Sequence, residues 1–453
     1  MSTLSDNVDI CHYDVALVTS NEGETMKLSF AKRACTCAVA VLSLFGFGGC
    51  GSSQQSGTIT WLSARPASEG SIKAIKQIAD EYAKSHQGFK LEFQNISDRP
   101  SYNQKLKVLA SSNRLPELWD ADPDPYFAKL VKDGRAEDIG KLYKDIGVTN
   151  RFYKISTKYP TMADGSLHLM TFNANAEYFW YNKDAFRKAG IAEEPKTIDE
   201  LLADLQKLKD TGVIPIALDG KDQWPFYRFL GMIPYRETGN EFLAKLKVGK
   251  ESMASPTGQA GIAFLQKMSA YFQPGFTNSD ATATLNLFKS KRAAITYDGT
   301  WNLPSYVDDS GNLKSDIGYF RLPMLGKGDK TAPTDFFANS GIGTAVSKGK
   351  LTPQLKDFLK YLFGKYGDVA LNDYRVIPSV KPKGSVKTPR IYQDVLSDIA
   401  KVNDYAQVWD VQLDANTVSV LGRQCQSLLV DNTSTHEFAA NVDKAIAQYN
   451  KAK

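Results

Sequence analysis

The chain has 453 residues, and its 55 Lys and Arg against 50 Asp and Glu give a formal charge of +5, which is mild at this length. The charges are scattered without a clustered basic stripe, which speaks against nucleic acid as a partner. Its four histidines show no metal-ligand spacing, so neither a zinc site nor a His-based catalytic triad is expected, and no metal or cofactor is called for.

Near the N-terminus, Lys27, Lys32 and Arg33 precede an apolar stretch over 34–47 that stops at Gly48-Gly49-Cys50, the layout of a secretory signal. The stretch is shorter than the roughly 20 residues a membrane-spanning helix needs. Phe47-Gly48-Gly49-Cys50 resembles a bacterial lipobox, in which Cys50 is lipidated and becomes the mature N-terminus; a plain secretory signal with an unmodified Cys50 is the alternative. Residues 1–25 carry five acidic and no basic residues, the opposite of a signal's start, so translation is expected to begin at Met26. The expected organisation is a non-translated or non-native leader over 1–25, a lipoprotein signal peptide over 26–49 and a flexible tether over 50–57. Residues 1–49 hold three of the basic and five of the acidic residues, leaving 52 against 45 in a chain long enough for two domains. Cys425 is then the one thiol besides the anchor, so no internal disulfide can form; it lies on the stripe Val418, Leu421, Cys425, Leu428 and Leu429 and reads as a buried small hydrophobe.

Thr58-Ile59-Thr60-Trp61-Leu62 reads as a strand, and Ile72, Ile75, Ile78, Ala79 and Tyr82 are spaced for one buried helix face ending at Gly88. Phe89, Leu91 and Phe93 alternate with polar residues as a half-exposed strand. This β-α-β unit implies a parallel sheet covered by helices. The grammar recurs. Leu106 and Leu109 predict a helix, Pro116-Glu117-Leu118-Trp119 a short strand, and Tyr126, Phe127, Leu130 and Val131 another helix. Thr197 and Glu200 frame a capping box before Leu201, Leu202, Leu205 and Leu208. Ile214-Pro215-Ile216-Ala217-Leu218 and Ala293-Ala294-Ile295-Thr296-Tyr297 predict two further strands, and the whole is read as two α/β domains.

Asp120, Asp122 and Asp124 alternate like the start of an EF-hand loop, yet Pro125 stands where that loop needs Gly and Val131 where it needs Glu, so calcium is not expected. Asp122 or Asp124 serves equally well as a cap of the following helix. Tryptophan is more informative. Trp119, Trp224, Trp301 and Trp409 stand beside Asp120, Asp222, the Asp298-Gly299-Thr300 turn and Asp410. An aromatic plate beside a carboxylate or amide matches a sugar, which presents an apolar C–H face ringed by hydroxyls. Ordinary core packing is the alternative for any single indole.

Leu115-Pro116-Glu117-Leu118-Trp119, Asp164-Gly165-Ser166-Leu167-His168, Tyr181-Asn182-Lys183-Asp184-Ala185-Phe186 and the run from Ala293 to Trp301 fall in the order seen in the extracellular solute-binding proteins of carbohydrate ABC importers, the group that includes maltose-binding protein, and the chain resembles that family over most of Thr58 to Lys453. The resemblance implies an α/β, two-lobed periplasmic-binding-protein fold with a hinge and an interlobe ligand cleft that closes on its ligand. Family topology places lobe 1 at 58–170 and 331–384, and lobe 2 at 171–330 and 385–453.

It also implies binding without chemistry. Trp224 and Trp301 are expected to be stacking platforms on lobe 2, with Trp409 a third. Asp98, Arg99, Asp120 and Asp122 are expected to bond hydroxyls from lobe 1, and Asn173, Asp298 and Asn339 fall at family positions near the hinge or cleft. A turn or cap role is the alternative for each. The implied partners are a di- to tetrasaccharide, the transmembrane subunits of an ABC permease, and the membrane through Cys50. The protein is expected to act as a monomer on the outer face of a bacterial cell membrane, of Gram-positive type. An exported glycosidase is the rival reading, and a peptide or polyamine receptor a third.

Overall fold

The computed structural model describes residues 57–452 apart from 163 and 432, so the expected leader, signal peptide and Cys50 lie outside the described residues. The described strands are β1 Gly57–Ser63, β2 Phe89–Asn95, β3 Leu118–Ala121, β4 Asn175–Asn182, β5 Ile214–Ala217, β6 Ala293–Gly299, β7 Ile317–Phe320, β8 Ala338–Asn339 and β9 Gly343–Val346. They form two sheets, one ordered β2-β1-β3-β9 and one ordered β5-β6-β4-β7 with β8 added to the start of β4. In the first, β1 runs parallel to β2 and β3, and β9 closes the edge antiparallel to β3. In the second, β5 and β6 are parallel while β4 runs antiparallel to β6 and β7.

Alternation along β1 explains how the first sheet is covered on both faces. Ile59 and Trp61 enter one core with Ile75 and Ile78 of the helix Gly70–Ala83, while Leu62 enters the opposite core with Trp119 and Leu106. The predicted helix face is buried at all five positions from Ile72 to Tyr82, each large apolar side chain contributing about 1.5–3 kcal/mol. Gly88, at φ 83°, turns the chain into β2. The second sheet shares one larger core with the C-terminal helices, into which Cys425 is packed. The Thr197–Glu200 capping box forms in both directions.

Three chain crossings join the lobes side by side. Met170 and Thr344 exchange backbone hydrogen bonds at 2.8 and 2.7 Å, Ala174 donates to Ile377 at 3.0 Å, and Ser379 donates to Phe172 at 2.9 Å. Phe336, Phe337 and Ala338 pack into the second lobe's core, because β8 pairs with β4 before the chain crosses, and Leu371 and Ile377 join the same core.

Asp120, expected to meet ligand, is instead a structural hub. It is fully buried on β3 and accepts from Trp61 Nε1 (2.9 Å), Ser63 Oγ (2.8 Å), the Ala64 amide (2.9 Å), Arg65 Nη1 (2.9 Å) and Thr344 Oγ1 (2.7 Å). Five donors occupy its lone pairs, so none is left for a ligand. Asp120→Ala leaves the buried Arg65 with only the more distant Glu69, 3.8 Å from its Nε, as a charge partner and is expected to cost about 3–5 kcal/mol, read as a lowered denaturation midpoint.

Candidate functional site

The carboxyl ends of β3, β5 and β6 converge on a cavity of about 550 Å³, the usual position for a ligand crevice in α/β sheets. The first lobe contributes Arg99, Asp122, Asp124 and Ile342, and the second contributes residues from the turn after β5, the end of β6 and the short helix Trp409–Gln412.

Two indoles stand on the second-lobe wall. Trp224 opens the helix Trp224–Thr238 after Gln223, whose left-handed φ of 65° is braced where Tyr227 Oη donates to its Oε1 at 3.1 Å. Trp301 follows β6 in the short turn Thr300–Asn302. Their rings meet edge to face, centroids 5.6 Å apart at 78°, and Trp301 stays 39% exposed. Its ring lies directly on Gly299, where a Cβ would come within 2.1 Å of it. The Gly299 backbone, at φ −101°, suits any residue, so Gly299→Ala is expected to push the indole aside without unfolding the chain. The near-ultraviolet dichroism of the indole pair should change while the unfolding temperature holds.

Behind the indoles lies a buried polar network. Arg228 sits 5.3 Å from the Trp224 ring, within cation–π range. Its Nε donates to Glu177 Oε2 at 2.9 Å and its Nη1 to Asp410 Oδ1 at 2.6 Å. Burial pulls its guanidinium down, but Asp410 and Glu177 outweigh that and hold it charged. Glu177, itself buried, also accepts from Tyr297 Oη at 3.0 Å and Asn339 Nδ2 at 3.1 Å. Asn339 Oδ1 in turn accepts from Asn175 Nδ2 and the Gly341 amide, each at 3.0 Å.

Asp298 accepts from the Gly299 amide (2.8 Å), Asn302 Nδ2 (2.8 Å) and Tyr306 Oη (2.5 Å). Burial outweighs these donors and pushes its carboxyl up to about 6. Asp219 is pushed further, to about 7, by burial and by the neighbouring Asp222 and Asp280. The folded state therefore keeps protons that the unfolded chain has lost. Both groups favour the fold at acid pH, and that contribution fades as pH rises from about 4 through 6 and 7.

Arg99, Asp122, Trp224, Asp298, Trp301 and Asn339 thus line one cavity, with Arg99 Nη2 pairing Asp122. The other expected residues sit elsewhere. Asp98 caps the helix Arg99–Ser111, accepting from the Ser101 amide at 2.9 Å. Asn173 lies on a crossing segment, where it forms an isolated antiparallel bridge with Pro378. Trp409 is 3% exposed and packs against Gly231 and Phe242 in the second core; its neighbour Asp410 reaches the cavity instead. Trp119 is likewise core, its Nε1 donating to Ser347 Oγ at 3.1 Å. Sequence reasoning missed Tyr159, Asp219, Arg228 and Tyr297 in the lining. A charge inside the otherwise apolar run Phe226-Tyr227-Arg228-Phe229-Leu230, like Glu177 within the wholly buried β4, was the available signal.

Among the described residues no cluster suited to a metal ion occurs, and no helix is long and apolar enough to cross a membrane.

Residues 66–367 match the family model described as bacterial extracellular solute-binding protein. An uncharacterized ABC transporter extracellular-binding protein of Pyrococcus horikoshii is 24% identical over 56% of this chain and 58% of its own length. The diacetylchitobiose binding protein DasA of Streptomyces coelicolor is 26% identical over 66% of this chain and 68% of its own. The match thus spans a little over half of the Pyrococcus relative, and 46% of a putative binding protein of Brucella abortus. Among solved structures, a chitin oligosaccharide binding protein superposes with a TM-score of 0.76 at 20% identity, covering 87% of this chain and 99% of the other.

Proposed function

The chain belongs to the bacterial extracellular solute-binding proteins, a family of binding proteins and not of enzymes, and we propose that it captures a di- to tetrasaccharide in the interlobe cleft and hands it to the transmembrane subunits of an ABC importer. On this reading lipid on Cys50 tethers a monomer to the outer face of a Gram-positive cell membrane, and the lobes close on the sugar about the three crossings.

One observation carries the sugar reading: the edge-to-face pair Trp224 and Trp301 stands on the wall of the cavity, ringed by Asp122, Asp219, Asp222, Asp298, Asn302 and Arg99. The indoles offer apolar faces to the C–H side of a pyranose, and the rim offers acceptors and donors for its hydroxyls. The cavity lies in the size range of small-molecule sites. A micromolar complex needs about 8 kcal/mol, within reach of two stacked rings and several charge-assisted hydrogen bonds. The relatives named for chitin-derived sugars support the same class of ligand.

A thermal-shift screen of di- to tetrasaccharides tests the reading. At least one sugar should raise the unfolding temperature by mass action and be recovered intact. No shift from any oligosaccharide, or recovery of cleaved sugar, contradicts it.

A further inference from the structure

The charges lining the cleft are unbalanced in a way that a neutral sugar would not relieve. Six aspartates face the cavity against two arginines, and both arginines are engaged, Arg99 by Asp122 and Arg228 by Glu177 and Asp410. Asp298 is satisfied by neutral donors, and Asp124 caps the helix Pro125–Lys132. Asp219 and Asp222 remain. Among the described residues neither forms an ion pair; Asp219 receives the Asp222 amide on Oδ1, at 3.2 Å, and its side chain also stands within hydrogen-bond reach of the Asp222 carboxyl.

Asp219 is 5% exposed, and its Oδ2 is buried without any hydrogen-bond partner. A second, uncharged group lining the same cavity shares that condition: Thr284, on the helix Ala281–Lys289, is 6% exposed and its Oγ1 is also buried and unpartnered. Leaving a buried polar atom unsatisfied costs about 1–3 kcal/mol, so both atoms point to a bound group that the free protein lacks. A hydroxyl supplies one donor and no charge. A protonated primary amine supplies three donors and the missing positive charge.

We infer that the end of the cleft formed by Asp219, Asp222 and Thr284 holds a protonated primary amine, so that the ligand is an amino sugar. This rests on the oligosaccharide reading and narrows it. The surroundings of Asp219 agree: burial above all, then the neighbouring Asp222 and Asp280, push its carboxyl up to about 7. A bound ammonium would reverse that pressure and hold the carboxylate ionised.

The test uses sugars that differ only at C2. Glucosamine, N-acetylglucosamine and glucose form one trio, the corresponding galactose derivatives a second, and the β-1,4 disaccharides of glucosamine, N-acetylglucosamine and glucose a third. Each is titrated into the purified protein, with putrescine as an amine lacking a sugar. In at least one trio the amine should bind tenfold or more tightly than both neutral members, and Asp219→Asn should abolish that preference. If no amine outperforms its neutral counterparts, the amine assignment falls while the sugar reading stands on whichever neutral sugar binds. A preference that survives Asp219→Asn removes this end of the cleft as its source. Putrescine binding as tightly as the best sugar would overturn the oligosaccharide reading itself.

Discussion

Arg228→Ala is expected to lower stability by about 3–5 kcal/mol and to abolish ligand binding together. The guanidinium is 4% exposed and lies between Glu177, which is 1% exposed, and Asp410. Without it Glu177 keeps only the neutral donors Tyr297 and Asn339, an uncompensated buried charge. The same change removes the cation beside Trp224 and frees Asp410, so the cavity wall loses its shape as well as its charge balance. A loss of this size corresponds to an unfolding temperature lower by on the order of 10 °C. The pair Glu177→Gln with Arg228→Met should recover much of it, since removing both charges leaves neither stranded. An unfolding temperature unchanged in Arg228→Ala would show that the network does not hold the wall.

Trp301→Ala separates binding from folding in the opposite sense. The indole is 39% exposed, and its ring contact is the edge of Trp224, so the fold should lose little. Its loss should cost about 2 kcal/mol of affinity, roughly thirtyfold, as for an aromatic anchor at the centre of a binding surface. Calorimetry with the sugar found by screening reads the affinity, and a thermal melt reads the fold. An unchanged affinity removes Trp301 from the site.

The contrast among the tryptophans explains which parts of this site were legible in the sequence. Trp224 opens the helix that follows β5 and Trp301 stands in the short turn after β6, and there a polar neighbourhood does mark a ring that is not fully buried. Trp119 has an equally polar neighbour in Asp120, but both lie on β3, where register buries them on opposite faces of the first sheet. Asp122, just past the strand, escapes that rule and reaches the cleft. Trp409 opens a short helix whose first turn tucks the indole inward and leaves Asp410 facing out. Helix faces such as that of Gly70–Ala83 were legible because their period is local. Arg228 was not, because its meaning depends on Glu177 and Asp410, 51 and 182 residues away, and no local pattern encodes that encounter. The strand β8 was not legible for the same reason, since it is defined only by its pairing with Asn175 and Ala176.

A crystal structure of the protein with its tightest-binding oligosaccharide tests the assignment of the cleft most directly. A pyranose face should lie against Trp301 or Trp224 at van der Waals distance, with sugar polar groups within about 3 Å of Asp219 and of Arg99 Nη1, a buried atom without a hydrogen-bond partner. A sugar seated instead in the second cavity, of about 520 Å³ and lined by Pro123, Met162, Leu413 and Tyr449, with the two indoles untouched, would contradict it.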